Sequence, residues 1–235
     1  MALFDDFPFS VANFSGTARL FPLPNLVLFP HVMQPLHIFE PRYRELLTEA
    51  LAGDRLITMA MLAPGWEKDY EGRPPLFPVA CLGRVAVHHR LANGAYNTLL
   101  VGLKRVRLDV ELPAIKSFRE AQVTVCEDCY PPQEAATTAV LQRKLRNAFL
   151  RVLPGLPQAQ DQLDQLLSSD ISLGTLTDII SYMLDISLSR KQALLAEANV
   201  HRRTEMLLDD LAQAATDDQL SVAGAMSFPP AFSNN

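Results

Sequence analysis

From Leu20 to Ile38 the apolar residues come in short runs broken by Pro22, Pro24, Pro30 and Pro35. Each proline fixes φ and removes a backbone donor, so these runs predict short strands that are bulged or lie at a sheet edge. At Pro41 the period changes. Tyr43, Leu46, Leu47, Ala50 and Leu51 recur at i, i+3, i+4, i+7 and i+8, which is one face of a helix. Pro41 suits the first helical position, where its missing N–H would be unpaired anyway. Glu40 before it can meet the partial positive charge of the helix start.

Strand-like runs then dominate. Arg55–Leu62 fits a buried strand after Gly53-Asp54. Residues 63–78 form a long connection carrying Trp66, Tyr70 and Phe77, and connections of this length tend to carry function. Residues 79–91 and 96–103 predict a hairpin around Asn93-Gly94, a strong turn signal. Val106, Leu108, Val110 and Leu112 alternate with polar residues as a further half-buried strand, and Gly102 predicts a bulge or sharp bend before it. Ala121, Val123 and Val125 supply the last strand.

At Pro131-Pro132 the period switches from two to 3.6. Helices are predicted from Gln133 to Leu153, at 159–167, through Leu176–Leu184, over Arg190–Ala198 and from Val200 to Ala215. Thr175 with Asp178, Ser189 with Gln192, and Asn199 stand at cap positions for the last three. Strands first and helices second is the order of the α+β class. The division expected is an extension at 1–18, a β subdomain at 19–130, a helical subdomain at 131–215 and a disordered tail at 216–235. Phe4, Phe7, Phe9 and Phe14 in the extension are read as packing onto the body.

The stretch LPNLVLFP, followed three residues later by QPLHIFEPRYRELL, resembles the opening of the Lon protease N-terminal domain, the substrate-binding domain of that ATP-dependent protease. Phe39, Glu40, Pro41, Arg42 and Tyr43 look most like the variant that stands alone, without the ATPase and protease domains. The later stretch from Gly174 to Leu208 is similar to the family's helical half, so the resemblance covers about residues 19–214. It implies a PUA-like, mainly antiparallel β pseudo-barrel followed by a helical subdomain. It also implies a role in recognising exposed apolar peptide segments.

Composition narrows the chemistry. With 235 residues, 49% hydrophobic and 20% charged, the chain can bury a real core. Its net charge of −5 argues against nucleic acid as the dominant partner. No apolar run is long enough to cross a bilayer, and the acidic N-terminus is unlike a signal peptide. Three cysteines make no disulfide framework, and a cytoplasmic setting is expected.

No G-x-x-x-x-G-K-[ST] motif is present to hold nucleotide phosphates. Ser189 and Lys191 are a serine–lysine pairing, but a capping serine has its oxygen committed to backbone N–H groups. Cys126-x-x-Cys129 supplies half of a zinc site and no second half. His88 and His89 are adjacent on a strand and face opposite ways. No catalytic residue, metal ligand or cofactor is therefore assigned. The expected function is a non-enzymatic binding module for unfolded or peptide clients or a specific protein partner, serving protein quality control or a separate protease. It would act through Trp66, Tyr70 and Phe77 and the junction between barrel and helices, with Phe39 to Tyr43 structural. An RNA-binding module using Arg84, His88, His89, Arg90, Lys104, Arg105 and Arg107 is the alternative; a hydrolase is a remote one. DNA and membranes are not expected partners.

Overall fold

The computed structural model describes residues 9–70, 72–132, 135–152 and 171–216. Expectations for Phe4 and Phe7, the helix at 159–167 and the tail beyond 216 fall outside these residues. The chain divides into two compact units between Cys126 and Glu127.

The first unit holds six strands: β1 (Thr17–Leu23), β2 (Met33–Ile38), β3 (Leu56–Met61), β4 (Val79–Arg90), β5 (Tyr96–Glu111) and β6 (Arg119–Cys126), with helix α1 (Pro41–Ala52) between β2 and β3. Neighbouring strands run in the order β2-β5-β4-β3-β1-β6, and β5 also pairs with β6. That last pairing closes β1, β3, β4, β5 and β6 into a barrel and leaves β2 attached to β5 alone. Closure removes the open edges that an exposed sheet would otherwise present.

Proline placement follows this topology. Pro35 lies in β2, which pairs on one side only. Pro22 lies where β1 pairs with β3 but has already passed β6, whose pairing ends at Leu20. Neither proline stands where both neighbours are engaged. β1 and β3 are parallel, with Leu20 opposite Thr58 and Leu23 opposite Met61. A parallel pair needs a crossover, and α1 lies within it, packing on both strands. Tyr43, Leu46, Leu47 and Ala50 form its buried face. Ala18, Leu20, Leu56, Ala60, Ala80, Leu82, Val106, Ala121 and Val123 make one core cluster, onto which Phe9 and Phe14 also pack.

The two strands expected on either side of Gly102 are one strand, β5, which β4 pairs along most of its length. The irregularity is a register shift opposite Leu82 and Gly83, so the ladder bends without ending. Gly102 is required for another reason. Its N–H donates to Val32 O and its carbonyl accepts from His31 N. A Cβ there would lie 2.0 Å from Phe29 O. The hairpin turn is as expected, with Gly94 at φ +82°.

The second unit contains α2 (Ala135–Val152), α3 (Leu173–Met183), α4 (Leu188–Ala196) and α5 (Val200–Thr216). α2 and α3 both pack on α5, around Leu145, Phe149, Leu176, Ile180, Leu207 and Leu211. Two expected caps are corrected. Ser172 caps α3 by accepting from Thr175 N, and Ser187 caps α4 by accepting from Arg190 N. Asn199 does cap α5, accepting from Arg202 N. Asp178 has no capping role: it is buried 3.5 Å from Arg203. Arg203, with no exposed side-chain surface, also contacts both carboxylate oxygens of Asp128 and donates to Glu197 O. A buried guanidinium needs such a surround, because an unpaired charge there costs several kcal/mol.

Candidate binding site

The signature Phe39 to Tyr43 begins α1, and its members separate in space. Phe39 is 43% exposed and stacks on His37. Pro41 occupies the first turn, with Glu40 as the N-cap residue. The Glu40 side chain makes no capping bond. Instead it pairs with Arg42 at 2.8 Å and accepts from the Tyr70 hydroxyl at 3.2 Å. Arg42 lies 4.8 Å from the centroid of the Tyr43 ring and 5.0 Å from that of Tyr70. Tyr43 is buried, stacks on Phe21 at 4.1 Å and donates to Pro22 O. Burial pushes its phenol well above the ordinary value.

The long connection after β3 therefore returns to the start of α1. Trp66 opens a short 3₁₀ turn and is half-buried, edge-on to Tyr70 at 5.6 Å. Phe77 is half-buried further along, its N–H donating to Met61 O. Tyr70 is the one of these three aromatics that lines the adjacent cavity, which measures about 340 Å³.

Pro22, Leu62, Pro74 and Phe118 give that cavity apolar walls, and Arg42, Arg73, Lys116 and Arg119 add charge. Each of the four cations has a carboxylate partner. Arg42 takes Glu40, Lys116 takes Glu49 and Glu120, and Arg73 and Arg119 share Glu111. The Lys116 ammonium is held protonated by its hydrogen bond to Glu49, so it does not serve as a base at neutral pH. The Ser117 hydroxyl donates to Glu45 at 2.6 Å. Apolar walls with balanced charges suit burial of an apolar group more than bond-breaking chemistry. Lys116, Phe118 and Arg119 carry no local sequence signal; the loop before β6 and the first residue of β6 bring them there.

The basic row of the RNA alternative is divided by the fold. Arg105 is buried at 3% exposure, while Arg107 is exposed and paired with Asp109. His88, His89 and Arg90 are exposed toward the end of β4. Cys126 is half-buried and Cys129 exposed, both as free thiols. Among the described residues no group of three or more His, Cys, Asp or Glu is placed to hold a metal, and no helix is long and apolar enough to cross a membrane.

Comparison with known proteins agrees with this architecture. Residues 17–213 match the family model described as the ATP-dependent protease La (LON) substrate-binding domain. Lon protease of Koribacter versatilis is 27% identical over 208 residues, covering 87% of this chain and 25% of that protein. Lon protease 1 of Bdellovibrio bacteriovorus is 28% identical over 200 residues, covering 84% and 24%. The chain thus spans about a quarter of the length of these curated relatives. In fold it is similar to the N-terminal domain of the Mycobacterium avium complex Lon protease, with TM-score 0.63, 16% identity, and coverage of 86% of this chain and 99% of that one. It is also similar to the Lon N-terminal domain protein from Xanthomonas campestris, with TM-score 0.56, 21% identity, and coverage of 82% and 97%. With its barrel, its helices and its matched span, the chain belongs to the LON substrate-binding domain family.

Proposed function

We propose that this chain is a non-enzymatic cytoplasmic module that binds exposed apolar segments of protein clients, or one protein partner, on behalf of protein quality control or a separate protease. The family description supports the reading at the level of substrate binding. The observation that carries it is the apolar-walled cavity of about 340 Å³, edged by Tyr70 and Arg42. Trp66, edge-on to Tyr70, extends the aromatic surface beside it. Large aromatics beside a concave apolar surface are the usual anchors of protein recognition. Trp66, Tyr70 and Phe77 are the proposed contact residues, with Phe39 to Tyr43 holding the start of α1. The absence of a phosphate-binding loop from the sequence supports the non-enzymatic part.

The test follows an unfolded model client by fluorescence anisotropy. Trp66→Ala should weaken binding by about 1–3 kcal/mol with little change in unfolding stability. Lost stability with unchanged affinity would make Trp66 a lid over the barrel. A wild-type chain that binds no unfolded client would remove the peptide-recognition reading.

A further inference from the structure

A second hollow, of about 260 Å³, lies on another side of the same helix start. Arg44, Glu45 and Thr48 of α1 form one wall, and Arg90 and Tyr96 from the β4–β5 hairpin form the other. Arg90 lies 5.9 Å from the centroid of the Tyr96 ring. Among the described residues, neither the Arg44 nor the Arg90 guanidinium carries an ion pair or hydrogen bond to a side chain. This sets the hollow apart from the first cavity, where every cation is paired. Its one acid, Glu45, accepts from Ser117, which lines the first cavity. The two hollows are therefore neighbours across that hydrogen bond, one apolar-walled and neutral, the other with two unpaired guanidiniums against one carboxylate.

We infer that the Arg44–Arg90 hollow selects, among apolar segments, those flanked by acidic side chains. The guanidinium fork matches a carboxylate in shape and charge, and complementary charge beside an apolar anchor gives selectivity and faster encounter. The inference rests on the binding reading above and adds the charge class of the client.

The experiment uses three labelled peptides with one apolar core, flanked by Asp/Glu, by Asn/Gln or by Lys. At low salt the acidic peptide should bind about 3- to 10-fold more tightly than the neutral one, as expected for two partly exposed pairs, and the advantage should shrink at high salt. R44Q/R90Q should abolish the advantage and leave the neutral peptide's affinity unchanged. R44E/R90E should turn the preference toward the Lys-flanked peptide. Equal binding of acidic and neutral peptides to the wild type, or an advantage that survives in R44Q/R90Q, overturns the inference and leaves the apolar reading standing. If the wild type binds none of the three, both fail.

Discussion

The hydroxyl of Tyr70 donates to Glu40 Oε1 at 3.2 Å, tying the long connection after β3 to the first turn of α1. Tyr43, three residues on from Glu40, donates to Pro22 O in a buried setting. The two hydroxyls should differ in worth. Tyr70→Phe leaves Glu40 with Arg42 and should cost about 0.5–1.5 kcal/mol, the net value of an ordinary hydrogen bond. Tyr43→Phe strands a buried carbonyl and should cost about 1–3 kcal/mol. Urea titrations of the two variants compare them; a larger cost at Tyr70 would contradict this arrangement.

Leu46 is fully buried on the inner face of α1. Leu46→Ala should cost about 2–5 kcal/mol, measured by denaturant midpoint at constant m-value.

Glu49, on the same helix, is a charged crosslink. It takes Arg19 at 2.9 Å and Lys116 at 2.7 Å. Burial alone would raise its pKa, but hydrogen bonds from Lys116 and Arg19 outweigh it and hold the carboxyl below the ordinary range. A folded value below the unfolded one means that ionisation favours the fold. The contribution is complete above the unfolded value of about 4.3 and is lost as pH falls through the lower folded value. The stability gap between wild type and Glu49→Gln should therefore be constant near neutrality and close in acid. A gap that widens in acid would show the sign to be wrong.

Arg203 sits between Asp128 and Asp178 with no solvent on its side chain. Arg203→Met removes the buried guanidinium that faces both carboxylates and should cost about 3–5 kcal/mol. Gly174→Ala tests the same cluster without removing a charge. Its Cβ would fall 2.2 Å from Asp128 Oδ2 and 3.0 Å from the Tyr130 hydroxyl, so thermal unfolding should shift downward.

Local signals carried much of the fold. Pro41 and the spacing of Tyr43, Leu46, Leu47 and Ala50 are enough to start α1 and choose its buried face. Asn93-Gly94 marks the hairpin, and the change of period marks where strands give way to helices. Errors arose where two local solutions were equally good or a distant partner decided. Thr175 and Ser172 can both cap, as can Ser189 and Ser187; the residue at which the backbone leaves extended geometry decides which does. Asp178 has the spacing of a capping box, but its charge is matched by Arg203, twenty-five positions away. Arg105 is one of a run of exposed-looking basic residues, yet it stands opposite Cys81 of β4 and is buried. The Arg44–Arg90 hollow has no sequence signature, because its two walls meet only when the hairpin folds beside α1.

β5 pairs with β2 and β4 along its first part and with β4 and β6 along its second. It is thus the one strand whose release opens the ring and detaches β2 together. Among the described residues no other strand joins three neighbours. Its central amides, near Leu100 and Val106, are placed to exchange with solvent only when the whole unit unfolds, so their protection would report the unit's global stability.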